Sequence, residues 1–260
     1  SVGVCLLQTG DVLRMLGRHD EARDHLQEAL SVMDALAGSR NYEQVLGNLG
    51  QLELDVGDYA GALDWFARFE ERASLHHEPD LIVKARRGQA GALYHLGRLE
   101  EAHAKATAGL ALAEEHGNAD GQIQILGVLA QIHKDGGLPA PAEMSAPSSA
   151  LHFLYQALNI ASGISGYAIS PDLLRQVAVA YAALGDYRSA YESGLKAAEA
   201  RSRSRSEEAQ RRALAIQIRQ EVERAKAETD KTRAEEERRR QLTKLLAEIE
   251  KRIQIGRASC

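Results

Sequence analysis

One eight-residue corner recurs along the chain as LGRHDEAR (16–23), VGDYAGAL (56–63), LGRLEEAH (96–103) and LGDYRSAY (184–191). Its glycines keep a period. Gly17, Gly57, Gly97 and Gly137 lie 40 residues apart, and Gly185 follows after 48. Beyond them a small residue returns in step, at Ala22, Ala62, Ala102, Ala150 and Ala190. Seven residues before each glycine stands another: Gly10, Gly50, Ala90, Ala130 and Ala178. Self-similarity at a fixed period of this size is the signature of a solenoid.

Each unit reads as two helices. In the fourth, QIQILGVLAQIHKDGG places apolar residues at helical spacing, and SALHFLYQALNIA repeats the pattern after the turn. A glycine that ends the first helix takes the left-handed conformation without a Cβ clash. The residue two places on (His19, Tyr59, Leu99, Tyr187) is expected to wedge between helices, and the small residues let two helix backbones come close. One such hairpin cannot bury its own apolar face, so copies stack and each forms the wall of the next.

These residues resemble the tetratricopeptide repeat, whose small–Gly–aromatic–Ala pattern they follow over about residues 3–200, with the further alanine at Ala29, Ala157 and Ala197. The resemblance implies an all-α, right-handed superhelix of five hairpins. The usual unit is about 34 residues, so the longer period here implies longer helices, as in bacterial signalling and peptide-sensing relatives. The fourth unit departs from the pattern. Between Gly137 and Ala150, GLPAPAEMSAPSSA carries surplus residues and three of the five prolines, an enlarged inter-helix loop at about 138–149. It is read as a surface insertion, with a partner-contacting loop as the alternative.

After Gly194 no Gly or Pro occurs until Gly256. This stretch is rich in strong helix formers and predicts one long helix over 201–255, followed by a short tail, 256–260. Ile218, Val222, Ala225, Thr229 and Thr232 alternate spacings of four and three, and Leu242, Leu246, Ile249 and Ile253 do so again. Such a seam predicts a parallel coiled coil and a homodimer, weakest between Glu236 and Leu242. A single solvated helix laced by ion pairs is the alternative.

Charge separates the two halves. Residues 201–260 hold 17 Lys/Arg against 11 Asp/Glu, which leaves 15 basic against 26 acidic residues in 1–200. The basic excess of the tail is interleaved with acids and has no aromatic residue for stacking, so a nucleic-acid partner is disfavoured. No apolar run is long enough to span a bilayer, so no membrane partner is expected. The only cysteines, Cys5 and Cys260, form no disulfide framework or thiolate metal site, and a reducing, cytoplasmic setting is the default. The chain opens at Ser1 without a Met, which we read as the mark of an excised fragment.

No catalytic constellation, cofactor motif or metal site stands out. His76–His77 fall in a predicted inter-repeat loop with no carboxylate or cysteine at ligand spacing. His95 and His133, near the ends of first helices, read as ordinary helix-face residues. RRGQAG (86–91) lacks the strand and the Lys-Ser/Thr ending of a phosphate loop, and reads as helix-packing glycine.

What the resemblance implies about a site is geometric, because in such arrays the first helices line the concave face. The family's inward positions fall here on Asp11 and Arg14, then Gln44, Asn48 and Gln51. Further along they fall on Lys84, Arg87 and Tyr94, on Gln124, Gln131 and Lys134, and on Arg175. They imply a groove for a protein or peptide ligand, with Gln51 and Gln131 bonding its backbone and Arg87 holding a carboxylate. The Lys–Asn carboxylate clamp of chaperone-binding relatives is not matched, since Leu7 and Asp11 stand there.

The leading function is therefore a non-catalytic binding module. An array joined to a coil resembles the input half of bacterial signalling proteins, in which the coil feeds an output domain such as a GGDEF diguanylate cyclase. A free-standing adaptor, the regulatory part of a peptide-responsive transcription regulator, and an enzyme are the rival readings.

Overall fold

The computed structural model describes residues 2–33, 39–134, 137–142 and 144–206. Contacts divide the chain into two units, Ser1–Ala200 and Arg201–Cys260. The described residues of the first unit are all-helical: α1 (Val2–Met15), α2 (His19–Met33), α3 (Arg40–Val56), α4 (Tyr59–Leu75), α5 (Pro79–His95), α6 (Leu99–Glu115), α7 (Ala119–Ile132), α8 (Ser149–Ser162) and α9 (Pro171–Ala183). Within the first unit helix resumes at residue 187, and the described residues 201–206 of the second unit are helical. The seam residues Ile218, Val222, Ala225, Leu242, Leu246, Ile249 and Ile253 lie outside the described residues.

Two residues make the corner. Gly57 closes α3 in the left-handed conformation (φ 86°), and the Asp58 carboxylate caps α4 by accepting the Gly61 N–H at 2.9 Å. Gly17, Gly97 and Gly185 take the same left-handed φ, 74–78°. The fourth unit corrects the expectation for Gly137. There α7 stops at Ile132, capped by His133 in the right-handed region, and Gly137 does not close it. The described residues of 133–148 are non-helical until α8 starts at Ser149, so the surplus chain begins before the prolines.

Helices pack in consecutive pairs, as in a tetratricopeptide solenoid, and the first helices also touch one another, α1 with α3, α3 with α5, α5 with α7. No two second helices meet to that extent among the described residues, so the first helices form the inner layer.

The small residues work mostly by admitting side chains. Gly50, expected to face a neighbouring backbone, instead faces the Phe66 ring of α4, which a Cβ there would meet at 2.9 Å. A Cβ on Gly88 of α5 would collide with the same ring atoms, Cε1, Cζ and Cδ1. Phe66 is thus seated between two first helices and is 4% exposed. Gly10 shows the expected backbone approach as well, to the Ala22 carbonyl at 3.3 Å. Ala90 and Ala130 are buried as well.

Position matters to the aromatic wedge. Tyr59 stacks on His95 of the next unit, with ring centroids 4.4 Å apart. Tyr187 holds the equivalent place and was expected to wedge likewise, yet it is 74% exposed, because no described first helix follows it.

Two consequences are measurable. Gly88→Ala gains up to about 1 kcal/mol of helix propensity, but Gly50 blocks the ring's retreat. Overpacking is expected to win and lower stability by about 1–3 kcal/mol in urea unfolding. His77 is a non-glycine residue with φ 54°, at the turn where the next unit has Gly117 at φ 65°. His77→Gly should raise stability by about 0.5–1 kcal/mol, read from the thermal midpoint.

Candidate functional site: the inner face

The inner layer encloses a cavity of about 600 Å³. Its apolar floor is Phe66, Phe69 and Leu81, and its walls carry Asp11, Arg14, Gln44, Asn48, Gln51, Lys84, Arg87 and Gln124. Tyr94, Gln131, Lys134 and Arg175 line a second, smaller cavity toward α9. A third hollow shares Gln51, Arg87 and Gln124 with the first and His95, Gln131 and Gln176 with the second. All twelve sequence-predicted positions therefore lie along this one face, but the five cations divide: Arg14, Lys84 and Arg87 in the first cavity, Lys134 and Arg175 in the second.

The cations of the first cavity are not equivalent. Arg14 donates to Asp55 at 2.6 Å and to Asp11 at 3.0 Å. Gln51 donates to the other Asp55 oxygen at 3.0 Å. Asp55 thus takes up two side chains that sequence reasoning assigned to a ligand, and nothing in the repeat pattern marked it. Burial alone would lower the Arg14 pKa, but its hydrogen bonds to Asp55 and Asp11 carry it above its ordinary value.

Arg87 and Lys84 make no ion pair among the described residues. Arg87 donates to the Gln124 amide oxygen, and Gln124 donates in turn to Asp120 at 2.5 Å. Asp120 also accepts from Tyr167 at 2.9 Å. Burial holds the Arg87 pKa below its ordinary value, with Asp120 opposing it. The Tyr167 hydroxyl is pushed up to about 12, by burial first and by its bond to Asp120 second. Asp120 lines both the first cavity and the connecting hollow, and is a further residue that the sequence reading missed.

Away from the groove, Glu70 ties three helices together. It accepts from Arg86 at 2.7 Å and from Gln89 and Lys105 at 2.9 Å each. Burial would raise its pKa, but the bonds from Arg86, Lys105 and Gln89 hold it below the ordinary value. His133 is not the helix-face residue expected. It is buried beside Phe153, and its Nε2 lies 3.0 Å from Nδ1 of His103. No group of three His, Cys, Asp or Glu side chains among the described residues could hold a metal ion.

Residues 4–73 match the family model for the tetratricopeptide repeat. No curated protein matches the chain. Among solved structures, BtubC (BKLC) from P. vanneervenii is 16% identical, with a TM-score of 0.53 over 75% of this chain and 78% of that one. Aspartyl phosphate phosphatase F from Bacillus subtilis is 15% identical, with a TM-score of 0.54 over 75% of this chain and 58% of that one. A Rap protein in complex with competence and sporulation factor is 16% identical, with a TM-score of 0.52 over 77% of this chain and 64% of that one. At such identities the likeness is one of fold. No described helix is long and apolar enough to cross a membrane.

The buried histidine gives the array a pH dependence. Burial, then the neighbouring His103 and His152, depress the His133 pKa. The unfolded chain therefore binds that proton more readily, and stability falls as pH drops below about 6.5 and on through the folded value. Urea unfolding at pH 7.5 and pH 5.5 should show a smaller acid loss for His133→Gln than for the unsubstituted chain.

Proposed function

We propose that the inner face binds an extended segment of a partner protein or a peptide, and that the module is non-catalytic. One observation carries this reading: Arg87 keeps its charge half-buried in the first cavity without a carboxylate partner, while Arg14 in the same cavity has two. Its direct hydrogen-bond partner, Gln124, is neutral, with Asp120 acting only from beyond that amide; a buried charge so held is costly, and an anionic ligand group relieves that cost. Lys84, on the same helix, adds a second open cation, and Gln44 and Asn48 offer amides at backbone-bonding height. Asp55 holds the Gln51 donors, so Gln44 and Asn48 replace Gln51 in the backbone-bonding role given to it from sequence.

The fold family supports a scaffold for protein contacts, and one similar structure is named for a complex with a signalling factor. The finer reading is a relay: a ligand changes the stacking of the units, and residues 201–255 carry that change, as a homodimeric coil, to an output domain such as a GGDEF diguanylate cyclase. It rests on sequence pattern and on the resemblance, as does the cytoplasmic setting.

Selection from a displayed peptide library should yield acidic ligands whose affinity falls at least tenfold, about 1.4 kcal/mol, with Arg87→Gln. Enrichment indifferent to that substitution would count against the groove. For the coil, Leu246→Asp with Ile249→Asp in the whole chain should halve the mass measured by light scattering. An unchanged mass would remove the seam as the dimer contact.

A further inference from the structure

Beyond α7 the inner layer opens. Each earlier first helix touches the next, but α7 and α9 do not come as close. Side-chain volume alone does not make the hollow: the places that Phe66 and Phe69 hold in α4 are held in α8 by Leu154 and Ala157, and in α6 by the smaller Ala106 and Gly109, where α5 and α7 still touch. Helices α8 and α9 are shorter than α4 and α5, at 14 and 13 residues against 17, and the released chain forms the connection 163–170. The result is a cavity of about 240 Å³. Its floor is apolar: Ala130, Ala150, Leu154 and Ala180 are each 1–6% exposed.

Its mouth is cationic. Lys134 and Arg175 line it, and among the described residues no Asp or Glu does. This stands out in a unit where acids outnumber bases 26 to 15 over residues 1–200. Lys134 makes no ion pair among the described residues, and it stands beside the cavity because α7 ends at Ile132. Arg175 has one exposed partner, Asp172 at 3.2 Å one turn away, a pair of the kind that water screens readily.

We propose that this cavity binds a compact apolar group with an adjoining carboxylate. The apolar part covers the alanine and leucine floor, and the carboxylate lies between Lys134 and Arg175. A bare anion would leave the floor wet, and a neutral apolar group would leave both cations unused. The cavity volume limits the apolar part to about one large side chain. This deepens the peptide reading, on which it rests, by naming the ligand end that belongs at α7–α9. The same chemistry is offered by the C-terminal residue of a peptide and by a free apolar carboxylic acid.

The test is ligand-observed NMR on the whole chain with N-acetyl-leucine, its primary amide, and the acid Ac-Gly-Gly-Leu. Both acids should bind, with the amide at least tenfold weaker. Lys134→Gln with Arg175→Gln, two exposed positions, should weaken both acids at least tenfold while the circular dichroism melt is unchanged. Val179→Glu, which sets an acid in the cavity wall, should do the same. Tighter binding of the tripeptide points to a peptide C-terminus, and tighter binding of N-acetyl-leucine to a free acid. Equal affinity for acid and amide, binding that survives the substitutions, or no binding of either acid in the millimolar range overturns the proposal. If Arg87-dependent peptide capture persists in that last case, this inference alone fails and the groove reading stands.

Discussion

The seating of one phenylalanine between two glycines shows what holds the array together. Phe66 projects from a second helix into the seam between two first helices, and it does so only because Gly50 and Gly88 present no Cβ to it. The contact ties three helices from two successive units in one place. A hairpin by itself would leave that ring in water, so the stability of each unit is largely its interface with the next. Glu70 adds a polar tie across α4, α5 and α6, where packing alone would not fix the rotation of one helix against another.

The inner face follows from that packing. Because first helices are drawn together around small residues, their polar sides converge on a shared hollow instead of facing bulk water. Convergence sorts the charges. Where an acid and a base meet at close range, as Arg14 does with Asp55 and Asp11, the pair is satisfied internally and becomes part of the frame. Where a base bonds directly to an amide and an acid acts only from beyond it, as at Arg87 with Gln124 and Asp120, the charge stays available. The same logic separates the two ends of the face: the first cavity mixes acids and bases over a phenylalanine floor, and the second has bases alone over alanines.

Much of this was legible in the repeat. The corner glycines announced left-handed helix ends, and Gly17, Gly57, Gly97 and Gly185 have them. The inward places of Gln44, Asn48, Lys84 and Gln124 were implied by the family resemblance, and these residues do line the inner cavity. Exceptions arose where a local pattern was overridden by its surroundings. Gly137 keeps the period but does not close its helix, because α7 has already stopped at Ile132 ahead of the long connection. Tyr187 keeps the motif but lies open, because a wedge needs a neighbour to enter. His133 has the spacing of a surface residue, yet His103 and Phe153 from adjoining helices enclose it.

The sequence by itself determined the period, the helical pairs and the side of each helix that turns inward, since those depend on backbone conformation and on the spacing of small and apolar residues along one chain. Only the tertiary structure decided which inward residues are spent on one another. Asp55 lies 41 residues from Arg14, and Asp120 is joined to Tyr167 across 47. No local rule links positions so far apart; their meeting depends on how closely successive units stack, and that distance is set by side-chain volume at the seams.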